Sequence, residues 1–135
     1  MGGSWSVSAQ TCVPLKAIGG QGTQVKKSVS PPGLLVSRNN WNTDFAVPGG
    51  VAFRRFTATI IPSDDANYNI AVYLKYSNKT SDNLYNKNSV HLIKGQPLRI
   101  SGSPRSTNQP YEVNVRVGGL KKLNNTYTVS AVGCP

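Results

Sequence analysis

Histidine occurs once in this chain, methionine once and cysteine twice, and the five Asp and Glu residues face fifteen Lys and Arg. These shortages exclude most catalytic and metal chemistry. One histidine and two widely separated cysteines cannot complete the usual tetrahedral zinc set. A glycosidase pair would have to come from Asp44, Asp64, Asp65, Asp82 and Glu112, and all five are expected in polar turns or on an outward strand position, open to solvent. His91, inside "SVHLI", reads as a structural or surface residue. No GxSxG elbow supports a serine nucleophile, and no glycine-rich phosphate loop precedes a helix. Apolar runs are short, far below the ~20 residues of a membrane-spanning helix. Also missing is any apolar stripe at i, i+3, i+4 and i+7, which argues against helices.

The remaining features point to strands. A chain of 135 residues with 38% apolar content suits one domain whose strands each bury one face. "RRFTATIIP" puts Phe56, Ala58 and Ile60 on one side and Arg55, Thr57 and Thr59 on the other. "YNIAVYLKY" groups Ile70, Val72, Leu74 and Tyr76, and "SVHLI" and "PLRIS" are shorter strands around "KGQ". "YEVNVRVGG" alternates most strictly, with Tyr111, Val113, Val115 and Val117 inward and Glu112, Asn114 and Arg116 outward. "TYTVSAVG" closes the series with Tyr127, Val129 and Ala131. Turn signals at short intervals between such runs predict an all-β antiparallel sandwich of jelly-roll or immunoglobulin-like type.

Residues 1–44 are richer in Gly, Ser, Pro and Gln, with "GGQG" at 19–22 and "SPPG" at 30–33. The β-prone pieces "TQVKKSVS" and "LLVS" between them predict an arm of short edge strands packed on the same single domain, because Pro31 and Pro32 cannot donate to a central ladder. Residues 45–135 form the expected sandwich core.

Cys12 and Cys134 stand at opposite ends of the chain. Two cysteines allow one intramolecular bridge, which would tie down both termini where fraying is otherwise expected. Closing so long a loop is worth roughly 4–5 kcal/mol in the chain-entropy picture. Such a bridge persists in an oxidising compartment. "MGGSWSVSAQ" lacks a basic start and a long apolar stretch, so the expectation is a mature exported protein (periplasmic, cell-surface or extracellular) whose leader has been removed.

The net charge of +10 attracts anionic partners: acidic polysaccharide, nucleic acid or an anionic surface. The doublets Lys26-Lys27, Arg54-Arg55 and Lys121-Lys122 are the candidate anion-binding residues. One of the arginines is expected to lean toward the core, since neighbours on a strand face opposite ways. In "SDDANYN", Asp64, Asp65, Asn67 and Asn69 are the candidate calcium ligands, following a D-x-N-x-N alternation. Position six of that loop is Ile70 and position twelve Tyr76, where an EF-hand has Gly and Glu, so an Asx-rich turn is the competing reading. Two N-x-T sequons, at Asn78 and Asn124, fall in hydrophilic turns.

Residues 45–133 resemble the bacterial pre-peptidase C-terminal type of β-sandwich. The resemblance is carried by "DFAVPGG", by "DDANYNIAVYLKY" in place of that family's acidic turn and following strand, and by "PYEVNVRVGG" with "NTYTVSAVG" as the closing hairpin. It implies a non-catalytic accessory module of secreted proteins, sometimes calcium-bound and sometimes matrix-binding. The functional expectation is therefore an exported binding module with a cationic surface for an anionic polymer or a cell-surface protein. The alternative is a self-assembling structural subunit such as a capsid, pilus or sheath protein, in which the N-terminal arm pairs with a neighbour's sheet edge.

Overall fold

The computed structural model describes residues 11–20, 22–28, 42–118 and 126–135. Ten strands run in chain order: β1 Val13–Pro14, β2 Lys16–Ala17, β3 Gln24–Ser28, β4 Asn42–Ala46, β5 Arg55–Pro62, β6 Ala66–Lys75, β7 Ser81–Leu92, β8 Leu98–Gly102, β9 Glu112–Gly118 and β10 Thr126–Cys134. They form two sheets. In sheet I the order is β1-β10-β5-β8, with β3 also pairing β10, and in sheet II it is β2-β4-β9-β6-β7. Every pairing is antiparallel. The protein is an antiparallel β-sandwich. Among the described residues no helix is long and apolar enough to cross a membrane.

Alternation builds the core. Phe56, Ala58 and Ile60 of β5 and Tyr127, Val129 and Ala131 of β10 face Ile70, Val72 and Leu74 of β6 and Val113, Val115 and Val117 of β9, all buried. β-Branched and aromatic side chains dominate because they pack well on a pleated, half-buried surface. Two glycines allow close approach. A Cβ on Gly133 of β10 would lie 2.8 Å from the Phe53 ring, and one on Gly102 of β8 would overlap Leu84 of β7. The first keeps Phe53 edge-to-face against Phe56, ring centroids 5.5 Å apart. The second lets the edge strands of the two sheets meet.

The chain crosses from sheet I to sheet II between β1 and β2, at Leu15, which is buried and donates its N–H to Ala131 O at 2.9 Å. Strand β4 spans the expected boundary between arm and core, and it is paired with β2 on one side and β9 on the other. The segment "LLVS" and both prolines of "SPPG" lie outside the described residues.

Two local expectations need correction. Tyr111 is 49% exposed, because it sits in the bend before β9, where its backbone serves Lys75 O and Val47 N, beyond the end of the core. Strand β7 begins at Ser81, well ahead of "SVHLI", so Asp82 lies in a strand and not in a polar turn. As an edge strand it turns few side chains to the core, so "SDNLYNKN" carries no apolar period to read.

Cys12 and Cys134 form the disulfide. It extends the β1–β10 pairing of Val13 with Gly133 by one residue on each side. A two-residue strand is thereby anchored to β10, the strand on which β1, β3 and β5 all pair. Converting both cysteines to serine should lower the unfolding free energy by about 4–5 kcal/mol, measured by urea denaturation, while the unreduced protein should show no alkylatable thiol. An unchanged denaturation midpoint would mean that the short strand holds without its clasp.

Candidate functional site

The outer face of sheet II has an organisation that no single strand reveals. Residues paired across antiparallel strands share a face, so register alone sets three rows. The first is Asn42, Arg116, Ala71 and Asn86; the second is Asp44, Asn114, Tyr73 and Asn83; the third is Ala46, Glu112, Lys75 and Ser81. Tyr73 is a half-buried aromatic flanked in its row by Asn114 and Asn83. Beside it the small residues Ala71 and Gly118 open a depression of about 260 Å³, rimmed by Asn69, Asn86, Asn88 and Arg116.

Two amides of the face, Asn69 and Asn114, are held by hydrogen bonds. Asn69 Oδ1 accepts from the N–H of Ser89 at 3.0 Å. Ser89 has φ +55° at the irregularity where the β6–β7 register shifts between Tyr68 and Ile70. Such an irregularity re-aims neighbouring side chains. Asn114 Nδ2 donates to Asp44 Oδ1 at 2.6 Å and to Asn42 Oδ1 at 3.3 Å, so β4 is locked to β9 on the outside as well as through the ladder.

The opposite end of the face carries the carboxyls of Asp44 and Glu112 together with Lys75 and, by register with Ala46, Lys16. Glu112 is only 9% exposed, although it points away from the core, because Lys75 and Asp44 cover it. Lys75 Nζ lies 3.4 Å from its carboxylate. Burial and the neighbouring Asp44 carboxyl push the Glu112 pKa up, against the pull of Lys75. Asp44 and Glu112 were expected to be solvated; register instead makes them diagonal neighbours.

Three of the four candidate calcium ligands take separate partners. Asp64 is exposed; Asp65 Oδ1 accepts from Lys94 N at 2.7 Å and Asn67 Oδ1 from His91 Nδ1 at 2.8 Å. With Asn69 bonded to Ser89, three of the four side chains are engaged with β7 and the turn that follows it. Asn69 instead belongs to the rim of the depression.

The cationic doublets are dispersed. Lys26 is exposed on β3 opposite Thr128, and Arg55 is exposed opposite Cys134 at the other end of β10, roughly 20 Å away along the strand. Arg54 and Arg55 are both exposed, contrary to the expectation that one leans inward, because Arg54 precedes β5 in a bend held by its N–H to Cys134 O. Lys27 is half-buried and donates Nζ to Asn42 O at 2.5 Å. Its burial lowers its pKa, with Asp44 opposing. Lys121 and Lys122 lie outside the described residues, as does the sequon at Asn124.

A separate cluster clamps the β8–β9 connection. Arg105 grips Asp82 through Nε and Nη2 at 2.8–3.2 Å, reaches Thr80 Oγ1 at 2.7 Å and stacks 4.0 Å from the centre of the Tyr76 ring. The Arg105 hydrogen bonds hold the Asp82 carboxyl below its ordinary pKa. Gln109 pins the same connection through both backbone groups of Phe53.

No family model and no curated protein matches the sequence. Among solved structures, a single-site variant of a family 29 carbohydrate-binding module is similar at TM-score 0.48 and 2% identity, covering 95% of this chain and 82% of that one. A second family 29 carbohydrate-binding module gives TM-score 0.48 and 5% identity over 92% of this chain and 88% of that one. The xylan-binding CBM22-1 domain of a Paenibacillus barcinonensis protein gives 0.37 and 8% over 93% and 88%.

The raised pKa of Glu112 has a definite sign. The folded state holds its proton more tightly than the unfolded chain, so the stability Glu112 contributes is lost as pH rises from the ordinary carboxylate range through the raised value. Glu112→Gln removes that dependence. Denaturation midpoints of the variant should therefore gain on the wild type as pH rises above about 4, and a constant difference there would contradict a burial-raised carboxyl.

Proposed function

We propose that this protein is an exported, non-catalytic β-sandwich that binds polysaccharide on the outer face of sheet II. The observation that carries the reading is the row in which Tyr73 stands between Asn83 and Asn114, next to a depression rimmed by Asn69, Asn86, Asn88 and Arg116. A sugar ring presents an apolar C–H face and a rim of hydroxyls. An exposed aromatic face stacks against the first. Side-chain amides carry a donor and an acceptor side by side and can bridge adjacent hydroxyls of the second. An open sheet face suits a polymer passing through, where an enclosed cavity suits a small molecule. The rigid antiparallel ladder beneath holds these groups in place, which reduces the ordering cost of binding.

The groups that could do chemistry are engaged in structure. His91 is exposed and bonded to Asn67. Asp44 is tied to Asn114 and Glu112 to Lys75. The disulfide accords with an oxidising compartment, and the accessory role implied by the sequence resemblance accords with a binder. The scattered cations of sheet I serve solubility and keep its edges from pairing with other chains.

Tyr73→Ala should weaken binding roughly tenfold or more across soluble glucans, mannans and xylans in affinity electrophoresis, with little change in melting temperature because the ring is only half-buried. Unchanged binding in that variant, together with loss in a Lys26→Ala, Arg55→Ala variant, would move the site to sheet I.

A further inference from the structure

We propose that Arg116 makes the sheet II face selective for polysaccharides bearing carboxylate groups, an inference that rests on polysaccharide binding by that face. Among the described residues the ion pairs are Lys75–Glu112 and Arg105–Asp82. Arg116 is in neither. It is exposed, its cross-strand partners are Asn42 and Ala71, and it forms part of the rim of the depression. Asp44, the nearest acid by register, accepts from Asn114 Nδ2 at 2.6 Å and forms no ion pair with Arg116. The guanidinium therefore stands beside the amides of Asn86 and Asn88 with its fork uncommitted to any acid, above a floor kept low by Ala71 and Gly118.

A planar fork of N–H donors matches the two oxygens of a carboxylate. Uronic acids supply that group on a ring that can also stack on Tyr73. Glu112 lies four residues along β9 from Arg116, roughly 13 Å, where it and Asp44 are offset by Lys75 and by Lys16, exposed on β2 opposite Ala46. Among the described residues, the cation left without an acid on this face is therefore at the Arg116 end. Nucleic acid fits the face less well. Among the described residues of the face, the Tyr73 ring and the Arg116 guanidinium offer neither the series of stacking platforms nor the cationic groove that single strands need.

The test compares glucuronoxylan with the same polymer after reduction of its carboxyl groups to alcohols, using wild type, Arg116→Gln, Arg116→Lys and Tyr73→Ala. Wild type should bind the acidic form about three- to tenfold more tightly at low salt, with the preference fading as salt screens it. Arg116→Gln should lose more affinity for the acidic form than for the reduced one, until the two bind equally, Arg116→Lys should keep part of the preference, and Tyr73→Ala should weaken both forms. Equal wild-type binding of the two forms, or a preference that survives Arg116→Gln, overturns the inference and leaves polysaccharide binding standing. Failure to bind these or any neutral glucan or mannan overturns both. Tighter, Arg116-dependent binding of single-stranded DNA also overturns it, in favour of a nucleic-acid surface.

Discussion

The register of β9 between β4 and β6 is the constraint on which the rest of the molecule depends. Val113, Val115 and Val117 must enter the core, and their burial leaves Glu112, Asn114 and Arg116 no choice but the outer face. A slip of one residue would exchange the two sets, placing an arginine and a glutamate between the sheets, where unpaired charge costs several kcal/mol. Hydrophobic burial thus fixes the position of polar side chains that do not touch the core. The same argument extends sideways. Pairing of Tyr73 with Asn114 and of Ala71 with Arg116 follows once the valines are seated, and the amides of β7 follow from β6.

Around that frame the charges have been divided by face and by end. The carboxyls of sheet II gather at one end, where Lys75 and Asn114 offset their proximity. The exposed cations of β3 and β5 lie on sheet I, spread along β10. The third ionic group, Arg105 with Asp82, serves neither face and holds the β8–β9 connection over the β6–β7 hairpin. A net charge of +10 therefore does not produce one basic patch among the described residues. The disulfide completes the frame from the other side, because it fastens the short β1 to the strand that anchors sheet I.

Much of this was legible in the sequence where a strand is buried on one face. The alternations in β5, β6, β9 and β10 name the core residues, and the terminal cysteines name their own bridge. Strand β7 was not legible before "SVHLI", since an edge strand needs no apolar period. The site was legible only in fragments. Asn67 and Asn69 stood out as a possible calcium motif because D-x-N-x-N is a pattern along the chain. Tyr73, Asn86 and Arg116 form a pattern across strands, and nothing in one strand encodes its neighbour's register. The outward face of "YNIAVYLKY", with Asn69, Ala71 and Tyr73, held the one available signal: an aromatic where solvent-facing polar residues were expected. Of the doublets, Lys26 and Lys27 alternate across β3, one exposed and one half-buried, whereas Arg54 and Arg55 are both exposed because Arg54 precedes its strand.

Amide chemical-shift mapping during titration with a soluble xylan or mannan oligosaccharide addresses the whole reading at once, because it places the ligand residue by residue. The perturbed amides should cluster on Asn69, Ala71, Tyr73, Asn86 and Arg116 and leave Lys26, Arg55 and Arg99 of sheet I unmoved. Perturbations confined to the sheet I cations, with β6, β7 and β9 silent, would contradict a binding face built on the register of β9.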